Sequence, residues 1–243
     1  HVLFIGNNML TGQNAYHFSD EINYQEALKS LKKASETLKE IFKKKGHKIH
    51  VTSFKDFTSE EIAGFENATF ENHYKFSTQP NMVFEIKENW KTFGDYVANL
   101  SKKYRDQFKR SRKKAEGITK QKMDLEAILK YEETIYALYF HVAKNAPFNT
   151  FFLAKNHFSV FKEVLQDKFL FYGYFIDDKL VGFNTLIKNG ESMDTYFLGY
   201  DETIQKEKML YLNMLYDMIG YSINQGFKEI IFARTALEIK SSV

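Results

Sequence analysis

The hydrophobic and polar positions repeat one pattern near each end of the chain. Val2 to Ile5 is a short β-branched and aromatic run stopped by Gly6, which predicts a buried strand. A polar stretch containing Gly12 follows. Ala27, Leu28, Leu31, Ala34, Leu38, Ile41 and Phe42 then recur at three- and four-residue spacing, predicting a helix capped by Ser19 or Asp20 and reaching Lys45. The basic run Lys43 to Lys45 suits the negative end of that helix, and Gly46 ends it. Lys48 to Phe54 alternates as a half-buried strand does. At the far end, Asp194 to Tyr200 predicts a strand and Asp201 to Lys206 a polar loop. A helix is expected from about Glu207 to Gln225, with Leu212, Leu215, Tyr216, Ile219 and Ile223 on one face; Gly226 and a strand from Glu229 to Phe232 follow. The two regions share an order of elements and almost no residues, so the repeat is one of pattern, read as a duplication.

Between them the pattern predicts a meander. Phe169 to Ile176, Leu180 to Lys188 and Ser192 to Tyr200 are strands, joined by turns at Asp177-Asp178 and Asn189-Gly190. His73 to Phe76 and Met82 to Ile86 read as a further hairpin around Gln79-Pro80. Trp90 to Ala115, Leu125 to Ala143 and His157 to Leu165 read as helical. Antiparallel strands feeding a βαβ unit, with helices packed on them, give an α/β fold with a mixed (α+β) sheet.

Composition narrows this further. The chain has 243 residues, 44% hydrophobic and 16% aromatic, which supplies a large core and excludes global disorder. Net charge is only +3, so any site for nucleic acid must be local. Cysteine is absent, which removes disulfides, thiolate catalysis and Cys-based zinc sites and permits a reducing, cytoplasmic setting. The seven His are scattered without ligand spacing, and no metal is expected. No apolar run approaches the roughly 18 residues of a membrane span, and no signal-peptide pattern opens the chain. The chain begins on a strand without an initiator Met and stops at Lys240-Ser241-Ser242-Val243 without a closing element, so it reads as a segment of a longer protein.

The order of helices, meander, strand, long helix and fifth strand over Leu125 to Phe232 resembles the GNAT acyltransferase fold. Val2 to Ile86 resembles the rear half of a preceding copy. Tandem copies of this kind are similar to the FemAB-type transferases of peptidoglycan assembly. Two stretches carry the likeness further. One is the basic run Lys103-Tyr104-Arg105-Asp106-Gln107-Phe108-Lys109-Arg110-Ser111-Arg112-Lys113-Lys114-Ala115-Glu116-Gly117; the other is Phe232-Ala233-Arg234-Thr235-Ala236-Leu237-Glu238-Ile239-Lys240-Ser241. The resemblance implies partial tandem GNAT-like domains: residues 1–88 as the end of a first domain, 89–118 as a basic linking helix, and 119–243 as a second domain lacking its last strands. It further implies an N-acyltransferase that takes an acyl group from acyl-CoA (acetyl-CoA) or an aminoacyl group from aminoacyl-tRNA and passes it to a small-molecule or peptide amine, in cell-wall precursor metabolism. The rival is a catalytically inactive GNAT-like module that binds a precursor or partner.

The family's glycine-rich pyrophosphate loop is missing from the second copy, where Asp201-Glu202-Thr203-Ile204-Gln205-Lys206-Glu207 has no glycine and three acids. In the first copy Gly12, Gln13, Asn14 and Ala15 come closer and are the candidate cofactor-binding residues. Eight Lys or Arg lie between Lys102 and Lys114, opposed only by Asp106. Lys109 and Arg110 are candidates for phosphate groups of RNA or of a nucleotide-linked precursor, against the alternative of a solvated helix face. Val97, Leu100, Tyr104 and Phe108 form the apolar stripe of that helix. Arg234, Glu238 and Lys240 leave a strand end: Glu238 is the candidate general base and Arg234 and Lys240 candidate substrate contacts, unless Arg234 and Glu238 form an ordinary helical ion pair. Asp194 and Tyr196 alternate on one strand face and are candidate acceptor contacts, unless Tyr196 is a buried phenol with a bonded hydroxyl.

Overall fold

A computed structural model describes residues 1–12, 16–63, 69–146, 149 and 151–243. The chain divides into two compact units, His1–Asn81 and Met82–Val243. The first holds β1 (Val2–Ile5), α1 (Tyr24–Lys44), β2 (Val51–Phe54) and the short α2 (Ser59–Ala63). β1 and β2 pair in parallel over all four residues of each, with α1 as the crossover. Asn23, not Ser19 or Asp20, caps α1: its side chain accepts the Gln25 N–H at 2.9 Å.

The second unit opens with β3 (Met82–Glu85), α3 (Phe93–Asn99), α4 (Lys102–Lys114) and β4 (Ile118–Lys122). Then come α5 (Leu125–Lys130), α6 (Glu132–Lys144), α7 (His157–Leu165), β5 (Phe169–Ile176), β6 (Lys179–Asn189) and β7 (Ser192–Tyr200). α8 (Glu202–Lys208), α9 (Leu210–Asn224), β8 (Glu229–Ala233) and α10 (Leu237–Lys240) complete it. The six strands lie in the order β3-β8-β7-β6-β5-β4, antiparallel throughout except for the parallel β7–β8 pair. The mixed sheet and the β5–β6–β7 meander match the sequence reading.

Both faces of the sheet are covered, so β5 is apolar on both sides. Leu170, Tyr172 and Tyr174 join the core built on α9, while Phe171 meets Phe158 of α7 and Phe183 of β6. α9 is buried at twelve of its fifteen residues, including Leu215, Tyr216 and Ile219. Two glycines set the spacing of these layers. A Cβ on Gly199 would stand 2.6 Å from backbone atoms of Leu138 and Tyr139, so α6 lies directly on the β7 backbone. A Cβ on Gly182 would stand 2.8 Å from Leu210 and Met214 of α9.

Three expectations are corrected. His73 to Phe76 is not a strand, and β3 pairs antiparallel with β8 instead. Phe84 packs against Trp90, Tyr96 and Phe232, whereas Tyr74 and Phe76 are exposed. Asp201 to Lys206 is not a loop but the start of α8, with the Asp201 carboxylate accepting the Thr203 and Ile204 N–H groups. The helices expected over Trp90 to Ala115 and Leu125 to Ala143 are each split, at Leu100-Ser101 and at Tyr131.

Candidate functional site

β7 is nine residues long, yet it pairs with β8 only from Ser192 to Asp194. The Thr195 hydroxyl still reaches the Ile231 carbonyl at 2.9 Å; beyond it the two parallel strands separate. A bulge accompanies the separation. Asn184 faces Leu198 and Leu186 faces Thr195, so β7 carries one residue more than β6 across that interval. Tyr196 and Phe197 therefore both turn to the α6–α7 face, and Leu198 and Tyr200 turn to the α9 side. The result is a fork that opens toward the carboxyl ends of β7 and β8, the end at which parallel strands present ligand sites.

The β8 arm of the fork ends in strained backbone. Ala233 and Ala236 adopt left-handed conformations at φ 63° and 53°, sparsely populated states for residues with a Cβ. The loop between them carries Arg234 and turns the chain into α10. Lys240 folds back from α10, is only 7% exposed, and donates its ammonium to the Phe232 carbonyl. Phe232 is the residue skipped by the β3–β8 register shift, which leaves its carbonyl outside the regular ladder. Burial lowers the Lys240 ammonium pKa from its ordinary value to about 8. Glu238 is exposed, and left-handed Ala236 lies between Arg234 and α10, so Arg234 and Glu238 do not share one helix.

α4 flanks this exit. The Gln107 side chain donates to the Ser242 carbonyl at 3.1 Å, tying α4 to the segment after Lys240. Phe108 packs edge-on to Tyr216 of α9 at 5.0 Å, as its apolar stripe requires. Lys109 and Arg110 are both exposed. Arg110 joins Lys113, Lys114 and Lys208 around a shallow cleft of about 620 Å³ that Glu116 and Glu207 also line. Lys208 donates to the Glu116 carbonyl at 3.4 Å and stands 3.7 Å from the Glu207 carboxylate.

The amino end of α9 is closed by the chain itself. Met209 takes φ 51°, breaking α8 from α9. The Gln205 side-chain oxygen accepts the Tyr211 N–H at 3.3 Å. Asn213 returns its amide to the Lys208 and Met209 carbonyls at 3.3 and 3.0 Å. The Tyr211 N–H is thus already taken, and Glu202 and Glu207 oppose an anion further.

Asp194 sits where the fork begins and is 1% exposed. One carboxylate oxygen accepts from Asn189 at 3.1 Å; the other has no hydrogen-bond partner among the described residues. Desolvation raises its pKa, and nearby Glu229 adds to the shift. Tyr196 lies on the same face as Asp194 but is packed between His157, Phe161 and Phe169, and its hydroxyl stands 3.0 Å from His157 Nε2. Burial lowers the His157 pKa and raises that of Tyr196. In the first unit Gly12 has φ 80°; Gln13, Asn14 and Ala15 lie outside the described residues. That stretch ends eight residues before Asn23, the α1 cap, so α1 does not start from it.

No family model matches the sequence, and no curated protein matches it either. Solved structures do. FemX is 12% identical, the match covers 88% of this chain and 70% of that one, and the TM-score is 0.56. The chain has the fold of FemX. A conserved protein of unknown function from Bacteroides thetaiotaomicron is 15% identical over 87% of this chain and 70% of that one, with a TM-score of 0.52. A shorter match, over 47% of this chain and 76% of the other at 15% identity and a TM-score of 0.37, is to an aminoglycoside acetyltransferase from an uncultured soil metagenomic sample. The architecture is the mixed α+β class expected from the sequence, with the fold that FemX has. Among the described residues no helix is long and apolar enough to cross a membrane, and no group of three or more His, Asp or Glu is placed to hold a metal ion.

Proposed function

We propose that this chain is an N-acyltransferase module whose reaction takes place in the fork between β7 and β8. The observation that carries the reading is the fork itself: strands that pair at one end and part at the other leave main-chain groups of β7 available to an extended donor. The acceptor amine nitrogen attacks the donor carbonyl carbon and the new amide forms. The thiolate or ribose oxygen departs with a proton, while the amine gives one up. Arg234 and Lys240, at the end of β8, bind the substrates. A protonated Lys240 in so dry a setting is suited to stabilise the oxyanion of the tetrahedral intermediate. Exposed Glu238 is the candidate acceptor of the amine proton.

The closed amino end of α9 bears on the donor. Its phosphate groups are better served by the Arg110–Lys113–Lys114–Lys208 cleft, with Lys109 nearby on the same helix. Both donor classes, acetyl-CoA and aminoacyl-tRNA, carry such groups, and a cytoplasmic, cell-wall-precursor setting is the one that the FemAB-type resemblance suggests. The first unit, with its own parallel βαβ crossover, is read as the rear part of a preceding GNAT-like domain. The same closure favours a second reading, a catalytically silent module that only binds a precursor or partner. Incubating the full-length protein with labelled acetyl-CoA, or with charged tRNA, and an amine panel decides between them. Label in an amide supports transfer, and binding of neither donor defeats it.

A further inference from the structure

α4 presents Arg110, Lys113 and Lys114 to the cleft only while the helix keeps one rotation about its axis. Its one fully buried residue is the small Ser111, and Phe108 seats the helix on Phe93 and Tyr216. Polar groups of α9 add a directional hold to that packing. Asn213 donates to the Ser111 carbonyl at 3.0 Å, and Arg112 turns toward α9. Its guanidinium donates to Asp217 at 2.7 Å and to Asn213 at 3.3 Å, and lies over the rings of Phe108 and Tyr216. Asp217 is the hub of a larger network. Its second oxygen accepts from the Tyr174 hydroxyl at 3.0 Å and stands 3.8 Å from Lys120 of β4, and Asn184 of β6 donates in turn to Tyr174 at 3.1 Å. One carboxylate thus joins α4, α9, β4 and β5. Removing it would leave two partly buried cations, Arg112 and Lys120, without their counter-charge.

We propose that Asp217 is a positioning residue: by holding Arg112 inward it sets the register in which Arg110, Lys113 and Lys114 face Lys208 across one cleft. The proposal deepens the donor reading above and rests on it for its functional meaning, while the geometric claim stands alone. Arginine is required at 112 because a planar fork satisfies Asp217 and Asn213 together, which a lysine ammonium does not do in one geometry.

Two measurements on the full chain test it. The chain has no cysteine, so Lys113→Cys with Lys208→Cys gives a unique pair whose cross-linking rate by a short bis-maleimide reports the register of α4 without any ligand. The second is binding of inorganic tripolyphosphate, followed by calorimetry over a salt series. Asp217→Asn is expected to lower the cross-linking rate and the tripolyphosphate affinity about ten-fold each, and to flatten the salt dependence as fewer cations engage the probe. Arg112→Lys, the variant to use should Asp217→Asn fail to fold, shifts both in the same direction by a smaller factor. A purely structural role lowers the urea midpoint while leaving cross-linking as in the parent, and that result in folded variants overturns the proposal. Should the parent bind no tripolyphosphate while Asp217→Asn still slows cross-linking, the positioning claim holds and the phosphate reading of the cleft falls.

Discussion

β1–α1–β2 and β7–α9–β8 are the same supersecondary unit, two parallel strands joined by a helical crossover, yet they differ in burial and in pairing. α1 buries only Ala27, Leu28 and Ser35, and leaves Leu38, Ile41 and Phe42 at 37–43% exposure. α9 is enclosed by α3, α4 and the sheet along most of its length. β1 and β2 pair over their full four residues, while β7 leaves β8 after three of its nine. Local patterning is therefore sufficient to specify the crossover, but not to make a site of it. The site needs the bulge at Tyr196-Phe197, the turned end of β8 and the return of Lys240.

This contrast can be broken or sharpened by substitution, with the single Trp90 reporting the second unit. Leu215→Ala, at a residue 1% exposed, is expected to cost about 3–4 kcal/mol in urea unfolding. Leu38→Ala, at a residue 42% exposed, should cost below about 1 kcal/mol, followed by circular dichroism. Equal losses would deny the difference in burial. Gly199→Ala must push α6 from β7 and is expected to cost about 2–3 kcal/mol. At Gly46, φ 82° with nothing within 4 Å of a Cβ, alanine meets only backbone strain of about 1 kcal/mol.

Lys240 gives a pH signature with no counterpart in the first crossover. Its folded pKa of about 8 lies below the ordinary 10.5, so between these values the unfolded chain holds the extra proton. Stability contributed by this group therefore rises with pH across that window, by roughly 3 kcal/mol in full, and is flat below it. Lys240→Met should abolish the rise. In the transfer assay, a requirement for the ammonium makes the rate fall as pH passes about 8, and Lys240→Met should lower it roughly 100-fold or more. Small effects are expected at the caps: Asn23→Ala and Asp201→Ala should each cost about 1 kcal/mol, measured by urea titration, one in each crossover.

What the sequence made legible follows the same divide. The long periodic runs of α1 and α9 and the turns Asp177-Asp178 and Asn189-Gly190 carry their information locally, and those elements were readable. α8 was also marked, by Asp201 as a cap, Glu202 in its first turn and Lys206 and Lys208 in its last, but expecting a glycine-rich loop there obscured it. β3 was read as a strand but given the wrong partner, because β8 lies nearly 150 residues downstream and no local turn chemistry announces the pairing. Arg112 looked like one more surface charge, since its partner Asp217 is 105 residues away. Lys240 was legible as a candidate, though nothing near it in sequence signals its burial.

The most direct test of the account is amide hydrogen exchange along β7 with and without a donor, acetyl-CoA or charged tRNA. A donor in the fork should slow exchange at Tyr196 to Tyr200 and at Phe232-Ala233, with β1 and β2 unchanged. Donor binding that leaves those amides untouched, with protection elsewhere in the chain, would contradict it.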